Sequence, residues 1–386
     1  MSPADLSSLI QAEHANWERP VVDEAVFGTS RPVEIAALLS GFCRDTLGAG
    51  VAEALFYRVS VACVAGLTLD DGRKVVVKAQ RGRRKEAYLS ACVAFRRRLV
   101  EEGFPCPQPL SEAVRVGPAW VTAEALMEAG SPGDAHDPVI RRAIAGSLAR
   151  LVAIGEGFSG GESFGRAWFL GLPQGQVFPA PHSPFFDFEK TSGGAEWIEA
   201  CAREARQIGL QIERSFSGAP EGLDGATPGA GEGAATSALR AASAGSGQGL
   251  PASAGRMVGH FDYRVEHLRF DGGRVVATFD WDSLHFERLP VLLGALAPHF
   301  TADWQREDVV RAPSLDEMRA FVSEFEASRG QAFSAVERRL LSASCVYSMS
   351  YTARCNHASS PREEGWNGDL RPLLRAEGRA LLDGGL

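Results

Sequence analysis

Two short stretches of this 386-residue chain concentrate side chains able to do acid–base or metal chemistry. "GHFDYRVEHLRF" (259–270) interleaves His260, Asp262, Arg264, Glu266, His267 and Arg269 with aromatic and aliphatic residues, and "TFDWDSL" (278–284) sets Asp280 and Asp282 on either side of Trp281. Between them "DGGR" (271–274) has the composition of a tight hairpin turn, which folds the two stretches together and brings Asp262 and Asp280 towards one cleft. A carboxylate there can accept the proton of a hydroxyl, and a second one can hold a divalent cation. Arg264 and Glu266, lying between the acids, read as solvated. Asp282 either lines a substrate pocket or caps the adjoining turn, and the cap is the favoured reading.

A third candidate is Lys78, which ends the apolar strand "RKVVVK". Alone it reads as a snorkelling surface residue, but Glu86 opens the helix that follows and is expected at pairing distance. The elements that must position these groups are legible in turn. "RPVEIAALLSGFCRDTLGAG" predicts a helix over about 33–46, stopped by Gly48 and Gly50. Residues 52–80 read as strand, strand, turn and strand, with "DDGR" as the hairpin. A helix runs to Gly103, "FPCPQPL" is extended, and "AWVTAEALM" is a further strand. The first 125 residues thus predict an antiparallel sheet with one inserted helix. The remainder is mainly helical: Asp137 before Pro138 is an N-cap, and "SLDE" (314–317) and "SAVE" (334–337) are capping boxes.

Composition narrows the function classes. Forty Lys and Arg against 48 Asp and Glu leave a net charge of −8, and no basic stripe appears, which argues against a nucleic-acid surface. The densest basic run, "RGRRK" (81–85), reads as a solvated loop. Seven scattered cysteines without a C-x-x-C pair argue against a disulfide framework or structural zinc. No uninterrupted apolar window is long enough to span a membrane, and "MSPADLSSLIQ" has no secretory pattern, so the expected location is the cytoplasm.

The combination of motifs resembles the aminoglycoside phosphotransferase and choline kinase-like family, whose members read H-G-D…N and then I-D-W or F-D-W. Here "HFDYRVEH" and "FDWDS" stand in those places. "VVVKAQ", "EEGFPCPQPL" and "AEALMEAG" follow the family's order, and the resemblance covers roughly residues 33–358 outside a Gly/Ala-rich insertion. It implies an α+β, two-lobed protein-kinase-like fold. A small antiparallel-sheet N-lobe would span 1–125, and a mainly helical C-lobe 126–386. By the same resemblance Asp262 is the catalytic base and Asp280 the principal Mg2+ ligand. Lys78 binds the ATP phosphates, steadied by Glu86, and the backbone of Glu124–Leu126 holds the adenine as a hinge. The implied activity is transfer of the γ-phosphoryl of ATP to a hydroxyl of a small molecule.

Two departures stand out. His267 occupies the place of the family's metal-binding Asn, a nitrogen ligand where magnesium favours oxygen. The expected phosphate-covering loop (Tyr57–Ala62) has no glycine. They leave open an alternative, a kinase-like nucleotide-binding or regulatory protein without turnover. Asp187 and Glu189 in "FFDFEK" offer carboxylates either to a cationic substrate or to solvent.

Between Ser217 and Gly255 Gly and Ala dominate, aromatics vanish after Phe216 and charges are sparse. Such a composition predicts a flexible insertion that cannot bury enough apolar area to offset its ordering entropy. Replacing it by a short Gly/Ser linker should therefore leave the melting temperature within a few degrees, because closure entropy changes slowly with loop length. Loss of cooperative unfolding in the shortened protein would contradict this.

Overall fold

The computed structural model describes residues 4–82, 85–181, 183, 186–217 and 255–386; the expected insertion and the middle of the basic run at 81–85 lie outside the described residues. Three helices open the chain: α1 (Ala4–His14), α2 (Val21–Phe27) and α3 (Pro32–Phe42). The helix expected over 33–46 is α3 continued by one wider π-type turn, Cys43–Leu47, which closes on Gly48 in the left-handed conformation.

Five antiparallel strands follow: β1 (Val51–Val59), β2 (Cys63–Leu69), β3 (Lys74–Arg81), β4 (Val114–Val116) and β5 (Ala119–Ala125), in the order β1-β2-β3-β5-β4. Lys78 sits on the central strand β3, opposite Val64 and Thr122. Strand alternation sends Val75, Val77 and Ala79 into the core shared with α1–α3, so Lys78 projects from the other face. The β1–β2 turn that lacks glycine is held by the N-terminal helices. The Tyr57 hydroxyl donates to Asp23, the Val59 amide donates to Glu13 at 3.3 Å, and Arg58 pairs with Glu13 at 3.6 Å. Burial, with the nearby Cys63 and Asp23, pushes the Tyr57 phenol well above its usual range, so it remains a donor.

Helix α4 (Glu86–Glu101) is inserted between β3 and β4, as the sequence predicts. Its inner residues Phe95 and Leu99 join the larger core with Ile144, Phe164 and Trp281, so α4 is buried against the second half of the chain. That half holds α5 (Pro138–Gly155), the four-residue α6 (Trp168–Gly171), α7 (Glu196–Ser217), α8 (Leu289–Leu296), α9 (Leu315–Arg329), α10 (Ala335–Ser359) and α11 (Arg371–Leu382). The sequence caps form: Asp137 accepts from the Val139 amide, and Ser314 and Ser334 each close a capping box with Glu317 and Glu337. Among the described residues no helix is long and apolar enough to cross a membrane.

Two small ribbons are set into this helical half. Strand β6 (Arg256–His260) pairs with β9 (Leu284–Arg288), and β7 (Leu268–Asp271) pairs with β8 (Arg274–Thr278) across the predicted "DGGR" turn. The fold is thus α+β and two-lobed, with a sheet lobe and a mainly helical lobe.

Helix α5 approaches β6 so closely that a Cβ on Gly155 would overlap the Val258 carbonyl, whereas one on Gly157 meets nothing. Gly155→Ala should cost about 2 kcal/mol by displacing the strand that leads into Asp262, and Gly157→Ala should be near neutral. Urea unfolding of the two variants checks the contrast.

Candidate active site

Four of the sequence candidates, Lys78, Asp262, His267 and Asp280, lie together between the lobes. Lys78, projecting from β3, places its ammonium 2.7 Å from Asp280 Oδ1 and 2.7 Å from Asp282 Oδ2. Burial opposes its charge, but the two carboxylates outweigh burial and raise its pKa above the usual lysine value. Asp280 is correspondingly held well below the usual carboxylate range: burial works against its charge, and Lys78 and His267 overcome it.

The loop carrying these acids is shaped by its neighbours. Trp281 is buried, donates its indole N–H to the Thr278 carbonyl at 2.9 Å, and packs edge-on against His260 and Phe104. With Trp281 turned inward, Asp280 and Asp282 are left facing the cleft. Among the described residues Asp280 is the one non-glycine with positive φ (57°), a conformation Asp tolerates better than most residues.

His260 joins the two loops. Its Nδ1 accepts from the Asp262 amide at 3.1 Å, and its Nε2 faces the Phe279 carbonyl at 3.2 Å. With Nδ1 accepting, the ring carries its proton on Nε2, and burial lowers its pKa, which keeps it neutral. His260 thus ties backbone groups of the two loops together.

Asp262 is flanked by Arg264, which pairs with it and with Glu266. His267 lies between the two candidate acids, with Nε2 3.4 Å from Asp262 and Nδ1 3.8 Å from Asp280. Burial alone would raise the Asp262 pKa, but Arg264 and His267 outweigh it and hold the group ionised far below its usual range. Arg264 and Glu266 are therefore part of the site, contrary to the expectation that they are solvated. The signal was present in the sequence, since Arg264 stands two residues from Asp262.

Asp262, His267 and Asp280 each offer a ligand atom within 4.8 Å of the others, a set that fits one divalent cation. Charge makes the same point. Two cations, Lys78 and Arg264, face four carboxylates, those of Asp262, Glu266, Asp280 and Asp282. The excess of two negative charges is what a divalent ion would offset. Two oxygens and one imidazole suit Mn2+ at least as well as Mg2+.

Three further expectations meet a different arrangement. Glu86 does not steady Lys78: it is exposed in the first turn of α4, and the Lys78 ammonium is taken up by Asp280 and Asp282. Helix α4 instead turns Arg96 inward, 2.6 Å from Glu124 on β5, and touches the acidic loop through the Tyr88 hydroxyl, which donates to the Asp282 carbonyl. The Glu124 carboxylate is thus engaged by Arg96 rather than turned to a ligand. Asp282 holds Lys78 rather than merely capping a turn. The Leu126 amide, expected to serve a hinge, donates to the Lys74 carbonyl at 3.0 Å, and the Ala125 amide donates to Gln108. Beyond that last sheet bond the chain continues into Met127 and Glu128, the next backbone amides along the connection.

Together the sheet lobe and the helical lobe make a two-lobed, kinase-like fold. No protein-family model and no curated protein matches the chain. Among solved structures it is similar to an amicoumacin kinase in complex with AMP-PNP and Ca2+, at 12% identity over 86% of this chain and 88% of that one, TM-score 0.50. It is also similar to a thermostable aminoglycoside phosphotransferase, APH(4)-Ia, in complex with ADP and hygromycin B, at 12% identity over 90% and 98%, TM-score 0.50. At such identities the likeness is one of fold.

The ion pairs predict a measurable asymmetry. Lys78→Met leaves Asp280 and Asp282 facing each other and should cost about 2 kcal/mol, less than a fully buried pair because the cleft is partly solvated. Adding Asp282→Asn to Lys78→Met should restore part of that loss, while Glu86→Gln alone should be near neutral. Chemical denaturation of the parent, Lys78→Met, Asp282→Asn and the double variant closes the cycle, with Glu86→Gln as a control.

Proposed function

We propose that this chain is an ATP-dependent phosphotransferase that moves the γ-phosphoryl group to a hydroxyl of a small molecule. The observation that carries the reading is the convergence of Lys78 from the sheet lobe with Asp262, His267 and Asp280 from the helical lobe. Lys78 and Asp280, 202 positions apart in sequence, meet at 2.7 Å.

In this reading Lys78 turns from Asp280 to the nucleotide phosphates while Asp282 keeps hold of its ammonium. Asp280, freed, and His267 would hold a divalent ion, whose charge would offset that of the phosphates. Asp262 receives the acceptor's hydroxyl hydrogen and orients the oxygen in line with the γ-phosphorus. Its pKa is low for a base, which suits a loose transition state in which the proton moves late and orientation matters more than basicity. The connection after β5, from Met127 outward, takes the hinge role first expected of Glu124–Leu126. Location in the cytoplasm belongs to the same proposal.

The glycine-free β1–β2 turn, bound to Glu13 and Asp23, favours one alternative, a protein that binds nucleotide without turnover. Variants separate the two. Asp280→Ala should abolish stabilisation of the protein by Mg·ATP in thermal unfolding. Asp262→Asn should retain that stabilisation and lose about 10²–10⁴-fold in ADP formation. His267→Asn should keep or raise Mg2+-supported turnover and lose the advantage of Mn2+. A parent that binds Mg·ATP and forms no ADP with any hydroxylated acceptor supports the alternative. An Asp280→Ala protein that binds Mg·ATP like the parent sinks the metal assignment.

A further inference from the structure

Away from the cleft, helix α7 presents a second charged surface. Arg203, Arg206, Gln207, Gln211 and Arg214 recur at helical spacing along one of its faces, and the loop after α6 closes over them at residues 175–177. The cavity between helix and loop has a volume of about 300 Å³, enough to hold a small organic ligand. No acidic side chain lines it. In a chain with a net charge of −8, such a cationic cavity is a local exception.

Both walls are fixed before any ligand arrives. Arg206 donates from Nε to the Phe169 carbonyl at 3.2 Å and from Nη2 to the Leu172 carbonyl at 2.5 Å, which ties α6 and the start of the loop to the helix. The Tyr347 hydroxyl of α10 donates to the Val177 carbonyl at 2.9 Å, and the Gln176 amide donates to the Phe178 carbonyl at 2.9 Å. Phe169 packs so closely on α7 that a Cβ on Gly209 would overlap its ring. A cavity whose walls are tied in this way loses little freedom on binding.

The charge of the cavity can be counted residue by residue. Arg203 pairs with Glu199 at 2.6 Å and is offset. Arg206 meets only carbonyls among the described residues, which carry no net charge, and its Nη1 is left over. Arg214, exposed near the end of α7, takes no ion pair or hydrogen bond among the described residues. Two guanidinium charges are therefore not offset at the cavity, and the planar guanidinium is shaped to grip phosphate oxygens two at a time. Gln207 and Gln211 stand between them in sequence on the same face, each with an amide able both to donate and to accept.

We propose that this cavity binds a phosphate dianion, free or as the phosphate group of a small ester, between Arg206 and Arg214. Its two negative charges match the two positive ones that the cavity leaves open. A single carboxylate would leave one guanidinium without a counter-charge, and a neutral polyol would leave both. A hydroxylated body attached to the phosphate would find its hydrogen-bond partners in Gln207 and Gln211. The cavity belongs to α7 and its loop, whereas the proposed reacting groups belong to β3 and the two acidic loops, so the inference does not depend on the proposed activity.

The probes are inorganic phosphate, glucose 6-phosphate and glucose, each titrated calorimetrically into the full chain at pH 8 and low ionic strength, with Mg·AMP-PNP present to occupy the cleft. The expected result is single-site binding of both phosphates and none of glucose, weakening as salt rises. Arg214→Gln should weaken that binding about tenfold, and Arg214→Lys should keep most of it. Arg274→Gln, the same loss of charge on the β7–β8 turn, should leave it unchanged. Tighter binding of glucose 6-phosphate identifies an ester as the ligand, and equal or tighter binding of inorganic phosphate identifies the free anion; either supports the site. Absence of phosphate binding would overturn the inference. So would binding that is indifferent to Arg214→Gln, or that Arg274→Gln weakens equally. None of these results bears on the phosphotransferase reading, which Mg·ATP binding tests by itself.

Discussion

The cleft is organised around one ammonium group that has left water. Taking Lys78 into the gap between the lobes costs several kcal/mol unless opposite charge lies close by, and at 4 Å in a partly buried setting each carboxylate returns about 4 kcal/mol. Asp280 and Asp282, both at 2.7 Å, supply that charge. The same pair bridges the sheet lobe to the helical lobe, so the electrostatic requirement of a single side chain also fixes how the two halves face each other. Two acids for one base leave the cleft over-supplied with negative charge, which prepares it for a cation.

The second constraint is that the two acidic loops must keep their spacing. His260 meets it with one neutral ring, accepting from the Asp262 amide and facing the Phe279 carbonyl just before Asp280. Trp281 and the β7–β8 ribbon hold the other side. The left-handed backbone at Asp280 is the strain that this arrangement stores. It persists because the buried indole on one side and the ribbon on the other leave the residue no alternative.

Much of this was legible in the chain. The "DDGR" and "DGGR" turns, the Asp137 cap and the two capping boxes are local devices, each written within four residues, and each forms as read. So was the meeting of Asp262 with Asp280, because a short hairpin is all that separates them. Pairings between distant elements were not legible. Glu86 opens the helix that follows Lys78, but the first turn of α4 points it to solvent, and the acids that reach Lys78 come from some two hundred residues away. Arg96 and Glu124 could be paired only once the phase of α4 against β5 was known. Helices α1 and α2 lie ahead of the region that the motifs cover, and their hold on the β1–β2 turn is visible only in three dimensions.

That hold bears on the tempo of the protein. A glycine-rich flap can lift by itself, on a timescale set by a few free backbone torsions. A turn whose tyrosine hydroxyl and backbone amide are engaged by Asp23 and Glu13 moves with the helices that carry those acids, as part of the whole sheet lobe. Whatever occupies the cleft would then enter and leave by rotation of one lobe against the other, and each such opening must separate Lys78 from Asp280 and Asp282. Residence time would be governed by that separation and would shorten as ionic strength rises, the reverse of what an apolar flap would produce.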